Sequence, residues 1–366
     1  MLKTPSGKLR ARGLNLPFDG EPGPLNAITD IAGVEVGYRT LIRGDGACVP
    51  GQGPVRTGVT TVFPRGRACA NVPVFAGMFT QNGCGEMTGS HWIGEVGRCE
   101  GPITLTNTHS VGTAHDASIK WMVKHFDKAG HWSLPVAGET YDGWLNDIRG
   151  FHVKDEDVFA ALDGAAGGAI EEGSVGGGTG MITYGFKGGS GTSSRRVNFD
   201  GVDYTVGAFV QSNFGMREQL VIAGVPVGRV LKDWNPDARG GVEVGSIIVI
   251  VGTDAPLLPH QLSRLARRAT LGLGRSGAIS GNGSGDIFLA FSIANAEALT
   301  ASAAAAATFL PDTRLDPFFA ATIQSVDEAI LNSIVANETM TGIDGRTVPA
   351  LPHDEVRRLL AARSGL

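Results

Sequence analysis

The stretch at residues 173–194, GSVGGGTGMITYGFKGGSGTSS, is so dense in glycine that no long helix can run through it, and it reads as hairpins or a binding loop. It is the extreme of a bias that runs along the whole chain: 54 of the 366 residues are glycine, about twice the usual share of roughly 7%. No Gly-X-Y period accompanies it, which excludes a collagen-like rod and leaves many tight turns and close backbone approaches.

Between the glycines lie short apolar blocks. Residues 23–42 carry alternating β-branched residues suited to a first strand, and short strands with glycine turns follow to about Ile103. Ile119, Met122, Val123 and Phe126 stand at i, i+3, i+4 and i+7, which predicts a helix over 110–126, with another over 155–162. Strands follow at 202–210 and 219–227. After Gly241 the texture changes to a buried strand (247–251), an amphipathic helix (260–273), a strand starting at Asp286, and helices near 296–309, 316–336 and 354–362. Strands in blocks and helices in blocks predict an α+β layered sandwich, and no internal repeat or low-complexity linker divides the chain.

The charge balance narrows the function. A net charge of −5 and a pI near 5.9 argue against a nucleic-acid or anionic-membrane binder. The most apolar stretch, 293–310, is broken by Asn295, Glu297, Thr300 and Ser302 and reads as a packed alanine-rich helix, not a membrane span. Cys48, Cys69, Cys84 and Cys99 form no C-x-x-C pair, and the first residues lack the apolar run of a signal peptide; these features predict reduced thiols in a cytoplasmic protein.

Familiar catalytic motifs fail one by one. Around Ser284 the nucleophile-elbow glycines are replaced by Asn282 and Asp286. The dinucleotide fingerprint breaks at Asp286 after Gly281 and Gly283, and at Met181 after the 176–180 run. Gly7-Lys8 is followed by Leu9, so there is no phosphate-binding loop. His109 and His115, like His125 and His131, are six apart, a spacing that does not share a helix face, and neither a metal nor a cofactor is expected.

What remains is Gly245-Ser246, immediately before the strand sequence IIVIV. A Gly-Ser pair before a strand is ordinarily a turn. The sharper reading is that the chain cuts itself between these residues, the Ser246 hydroxyl attacking the preceding carbonyl. A serine left at a new N-terminus carries its own base, because an α-amine titrates near 7.7–8.0 against about 10.4 for lysine. No Ser-His-Asp arrangement is then needed.

Six segments in order, GPLNAITDIAGVEVG (23–37), GETYDGWLND (138–147), GSVGGGTGM with FKGGSGTSSR (173–195), VQSNFG (210–215), GSIIVIVGTDAPLLPHQL (245–262) and SGDIFLAFSIAN (284–295), resemble the L-aminopeptidase D-esterase/amidase and β-peptidyl aminopeptidase family. The resemblance implies a single catalytic domain over 1–366, cut into an α chain (1–245) and a β chain (246–366). It implies a four-layer αββα sandwich like that of N-terminal-nucleophile hydrolases with different connectivity. It also implies a cofactor-free serine aminopeptidase acting on small peptides, amides or esters, as an oligomer of αβ units.

Carried onto this chain, the resemblance makes Ser246 the nucleophile and Ser284 and Asp286 its partners, with Asp where some members have Glu. It makes Asn213 an oxyanion donor assisted by Tyr141, Glu139 the acceptor of the substrate's amino group, and Trp144 a candidate wall of the acyl pocket. Two other readings stay open from the residues alone: an acyltransferase like the ornithine acetyltransferases, which use Thr where Ser246 stands, and an uncleaved binding protein of the same fold.

Overall fold

The structure, a computed structural model, describes residues 1–126, 132–234 and 245–363. The strands in chain order are β1 (Glu35–Arg43), β2 (Val55–Phe63), β3 (Val74–Gly83), β4 (Arg98–Cys99), β5 (Ile103–Asn107) and β6 (Val136–Thr140). They continue as β7 (Ile182–Thr183), β8 (Phe186–Lys187), β9 (Gly189–Phe199), β10 (Val202–Asn213), β11 (Gly245–Thr253), β12 (Ser284–Ser292), β13 (Met340–Thr341) and β14 (Thr347–Val348). The helices are α1 (Ser90–Val96), α2 (Val111–Phe126), α3 (Asp155–Asp163), α4 (Val227–Val230), α5 (Pro259–Arg275), α6 (Ala296–Thr300), α7 (Asp316–Val335) and α8 (His353–Arg363).

Two sheets carry the architecture, one in the order β1-β2-β5-β6 and one in the order β4-β3-β12-β11-β10-β9. Side-chain alternation decides how they stack. In β11, Ile248 and Ile250 join Val62, Leu105 and Val136 of the smaller sheet in one buried cluster. Ile247, Val249 and Val251 pack instead with Leu265 and Ala269 of α5 and Val326 and Ile330 of α7. The outer face of the smaller sheet, at Val59 and Phe63, is covered by Trp121 of α2 and Val158 and Leu162 of α3. The layers are therefore α, β, β, α, as expected for the N-terminal-nucleophile type of sandwich.

A strand buried on both faces reads as a continuous apolar run, which is why IIVIV is legible in the sequence. It lies antiparallel to β10 and parallel to β12, at the centre of the larger sheet. Burial of these five side chains contributes on the order of 1.5–3 kcal/mol each, which anchors the start of β11 firmly.

Some expectations are corrected. Residues 219–227 are not a strand: Ile222 bridges Val225 across a turn in which Ala223 and Gly224 take positive φ, and Leu220, Ile222 and Val227 are buried from that turn and the ends around it. The alternating apolar pattern was real, but the Ala-Gly pair folds it back. The helix expected near 296–309 is only α6, and residues 301–309 are exposed. Alanine favours helix but offers no broad apolar stripe to bury, and a short unpacked helix is marginal in water. The first strand begins only at Glu35, after a helical turn at Ile28–Asp30. The glycine-rich stretch is mostly buried: Gly176–Gly178 form a 3-10 turn whose N–H groups reach Thr40 and Thr60 of β1 and β2, and the stretch then leads through β7 and β8 into β9. The four cysteines are unpaired, His131 lies outside the described residues, and no described helix is long and apolar enough to cross a membrane.

Candidate active site at the start of the central strand

Ser246 is the second residue of β11 and is only 3% exposed. It shares strand parity with Ile248, so its side chain lies on the face toward the smaller sheet. There the main-chain N–H of Tyr141, just past the end of β6, donates to Ser246 Oγ over a long 3.4 Å. Residues 235–244, which precede the Gly245–Ser246 bond, lie outside the described residues.

Asn213 ends β10 and pairs directly with Ser246 across the sheet. Its Oδ1 accepts from the N–H of Ile182 at 2.8 Å, and its Nδ2 donates to the carbonyl of Tyr141 at 2.8 Å. Only one of the two amide hydrogens is used by that bond. Gly245 makes the close pairing possible, because a Cβ there would lie 2.3 Å from the Asn213 carbonyl oxygen. Tyr141 meets Ser246 and Asn213 through its main chain; the residue is 39% exposed and its ring folds over Gly143.

Ser284 and Asp286 lie inside β12, not in a turn, and Ser284 Oγ donates to Asp286 Oδ1 at 2.6 Å. That contact shows an Asp long enough to meet its serine here. Gly245 registers with Ser284 and Ser246 with Gly285. Ser284 and Asp286 share the parity of Phe288, which faces the helices, so they flank the Gly245–Ser246 peptide from the side opposite the Ser246 hydroxyl.

Glu139 is in β6, buried, with Oε1 accepting from the N–H of Glu86 at 3.0 Å and Oε2 taking a hydrogen bond from the Thr108 hydroxyl. Burial pushes its carboxyl above the usual range, partly offset by those two donors. It approaches Ser246 through glycines: a Cβ on Gly85 would lie 3.2 Å from Glu139 Oε1 and 3.4 Å from the Cα of Gly285, the residue registered with Ser246. Gly285 itself lets the main chain at Cys84 pass across the sheet, since a Cβ there would lie 2.3 Å from that carbonyl. Trp144 belongs to a small cluster with Leu145, Ile182 and Val348 and stacks under Arg346 at 4.5 Å. Ile182 of that cluster donates its N–H to Asn213 Oδ1.

Sequence reasoning missed several polar neighbours. Gln211, two residues before Asn213 on the same face, donates to the Thr106 carbonyl at 2.9 Å and the Thr140 hydroxyl at 2.7 Å, tying the two sheets together beside the site. Its parity with Asn213 was the only signal. Thr108 and the Glu86 main chain left none, because both reach Glu139 only through the fold.

Asp142, next to Tyr141, is fully buried and accepts from Asn146 Nδ2 at 3.0 Å, and burial pushes its carboxyl up to about 7. Between roughly pH 4 and 7 the folded chain holds a proton there that the unfolded chain has released, so this group's effect on stability worsens as pH rises through that window. Asp142→Asn removes the titration. The wild-type Tm should then fall more than the variant's from about pH 5 to about pH 7.5, and parallel melting curves would contradict this.

Comparison with known proteins converges on one family. The model of peptidase family S58 matches residues 26–348. A β-peptidyl aminopeptidase, BapA, of Sphingosinicella microcystinivorans is 52% identical over 364 residues, covering 96% of this chain and 91% of that protein. The solved structure of the L-aminopeptidase D-Ala-esterase/amidase of Ochrobactrum anthropi, described as a prototype serine aminopeptidase and a variant of the Ntn hydrolase fold, superposes with a TM-score of 0.91 at 47% identity, covering 97% of this chain and 99% of that one. A Burkholderia sp. β-aminopeptidase superposes with a TM-score of 0.86 at 42% identity, over 97% and 99% of the two chains. With a buried serine opening the central strand of an αββα sandwich, and with family and relatives matched over nearly its whole length, this chain belongs to peptidase family S58 and is a serine aminopeptidase that hydrolyses peptide bonds.

Proposed function

We propose that the chain cuts itself between Gly245 and Ser246 and then removes small N-terminal residues from peptides, amides or esters through an acyl-enzyme on Ser246. The observation that carries this reading is the placement of Ser246 Oγ, buried at the start of β11, between the Tyr141 N–H and the directly paired Asn213.

In self-cleavage the Ser246 hydroxyl adds to the Gly245 carbonyl, the C–N bond breaks, and the α-amine takes the proton. Water then hydrolyses the ester, releasing residues 1–245 with a new carboxylate and leaving Ser246 as an N-terminus. In turnover the same hydroxyl attacks the substrate carbonyl, its proton passing through the α-amine to the leaving amine, and water again resolves the ester. The second amide hydrogen of Asn213 and the Tyr141 N–H are donors suited to the oxyanion. The position of Ser284 and Asp286, flanking the 245–246 peptide rather than the hydroxyl, supports a role in holding the α-amine and its proton. The processed chains are proposed to stay together as one domain, to assemble into oligomers of αβ units, and to work in the cytoplasm.

Glu139 is proposed to receive the substrate's ammonium, which restricts cleavage to the amino end. Trp144 is proposed to border the acyl pocket from the Ile182 side. The β-peptidyl activity named for the relatives makes β-amino acyl groups natural first substrates. Peptide amides with a free amine should be turned over and their N-acetylated forms should resist. Glu139→Gln should lower kcat/KM on the free-amine substrate about 10- to 100-fold. Because burial raises the Glu139 pKa and only the carboxylate pairs with an ammonium, the acid limb of kcat/KM should lie above the ordinary glutamate range and vanish in the variant. Equal turnover of blocked and free substrates would refute the amine-binding role.

A further inference from the structure

Lys187, in β8, is completely buried. Its Nζ donates to the Met181 carbonyl at 2.9 Å and to the Gly188 carbonyl at 2.7 Å. Burial, with Lys8 adding to it, holds its pKa well below the usual value for a lysine. Taking an amine out of water is costly, and an unbranched apolar side chain would fill the same space at lower cost. An amine at this position therefore calls for something that its N–H groups do.

The acceptor of the first bond leads to the active site. The Met181 carbonyl and the Ile182 N–H belong to one peptide unit, and that N–H donates to Asn213 Oδ1 at 2.8 Å. Asn213 Nδ2 in turn donates to the Tyr141 carbonyl, the far side of the residue whose N–H meets Ser246 Oγ. The Met181 carbonyl also accepts from the Gly188 N–H at 3.0 Å, so the relay starts from a doubly held oxygen. The hairpin that carries it is held at its tip and along its side. Tyr184 and Gly185 take positive φ at its tip, and the turn's two carbonyls accept from Arg217, whose guanidinium lies 3.7 Å over the Phe186 ring. The Thr183 hydroxyl bonds to the Ser212 carbonyl at 2.8 Å, fastening the hairpin next to Asn213.

We infer that Lys187 is a positioning residue for the reaction: by holding the Met181–Ile182 peptide it fixes which way the Asn213 amide faces, keeping Nδ2 rather than Oδ1 toward the reacting carbonyl. An amide turned over would present an oxygen to the oxyanion, where it repels, so orientation matters more here than at a surface asparagine. The inference rests on the reading of Asn213 as an oxyanion donor.

The test is a double-mutant cycle on the full chain, measuring kcat, KM and the rate of self-cleavage of fresh precursor for wild type, Lys187→Met, Asn213→Ala and the double variant. Lys187→Met should lower kcat and the self-cleavage rate on the order of 10- to 100-fold with KM little changed, since a small misplacement of a catalytic group has that scale of effect. In the Asn213→Ala background the same change should cost less than about twofold, because residues that act through one another are not additive. Losses that multiply independently, or a wild-type kcat in Lys187→Met, would overturn the role of Lys187 and leave that of Asn213 standing. A wild-type kcat in Asn213→Ala would instead remove the oxyanion reading and this inference with it. Should Lys187→Met not accumulate as folded protein, Lys187→Leu, which likewise fills the site without a donor, carries the same cycle with the same criteria.

Discussion

Ser246→Ala should purify as one uncut chain of 38.0 kDa, while the wild type separates on intact-mass analysis into pieces of about 25 and about 13 kDa, the proportional masses of residues 1–245 and 246–366. The variant should also hydrolyse no peptide amide above background. Both losses come from one atom, because the Ser246 hydroxyl is proposed to open its own peptide bond first and the substrate's afterwards. The expectation is sharp because alanine keeps the strand: Ser246 is paired to Asn213 and Gly285 through its main chain, and the change removes only an oxygen. Two pieces from Ser246→Ala would mean that some other group cuts the chain. One uncut mass from the wild type would remove the free α-amine from the mechanism, and the base would have to be sought among other groups.

Asn213→Ala should lower kcat about 10²- to 10³-fold, the usual cost of about 2.7–4 kcal/mol for losing one oxyanion donor. The variant also leaves the Ile182 N–H without its acceptor, so stability should fall by about 1–3 kcal/mol, read as a lower Tm. The two effects separate cleanly: the fall in kcat persists well below the melting range, whereas a purely structural loss disappears on cooling. A variant with wild-type kcat and a lowered Tm would assign Asn213 to structure alone.

How much of this could be read from the sequence depends on which physical effect places each residue. The helices at 111–126 and 259–275 follow from a single apolar stripe, and local periodicity set their limits within a residue or two. The turn at Ile222–Val225 did not follow, because an apolar alternation and a hairpin put the same side chains inside. The stretch after α6 did not either, since alanine carries helix propensity without anything to pack. At the candidate site, Ser246, Asn213, Ser284 and Asp286 could be named from the sequence because each stands in a segment that resembles the family, and the sheet register brings their main chains side by side. Glu139 and Tyr141 were legible as residues, but their working parts were not. Glu139 is held by a main-chain N–H and by Thr108, and Tyr141 meets Ser246 Oγ through its peptide N–H, a group that every residue but proline possesses.

The sequence by itself determined a glycine-rich α+β chain with a buried apolar strand opening on Gly245-Ser246, because the number of consecutive apolar residues and the spacing of stripes are local properties. Only the tertiary structure decided what surrounds that serine. The crossing of Gly85 over Gly285, which brings Glu139 near, and the run of hydrogen bonds from Lys187 through the Met181–Ile182 peptide to Asn213 join segments that lie far apart along the chain. Contacts of that kind are set by where the main chain passes, and residue identity encodes them only through the whole fold.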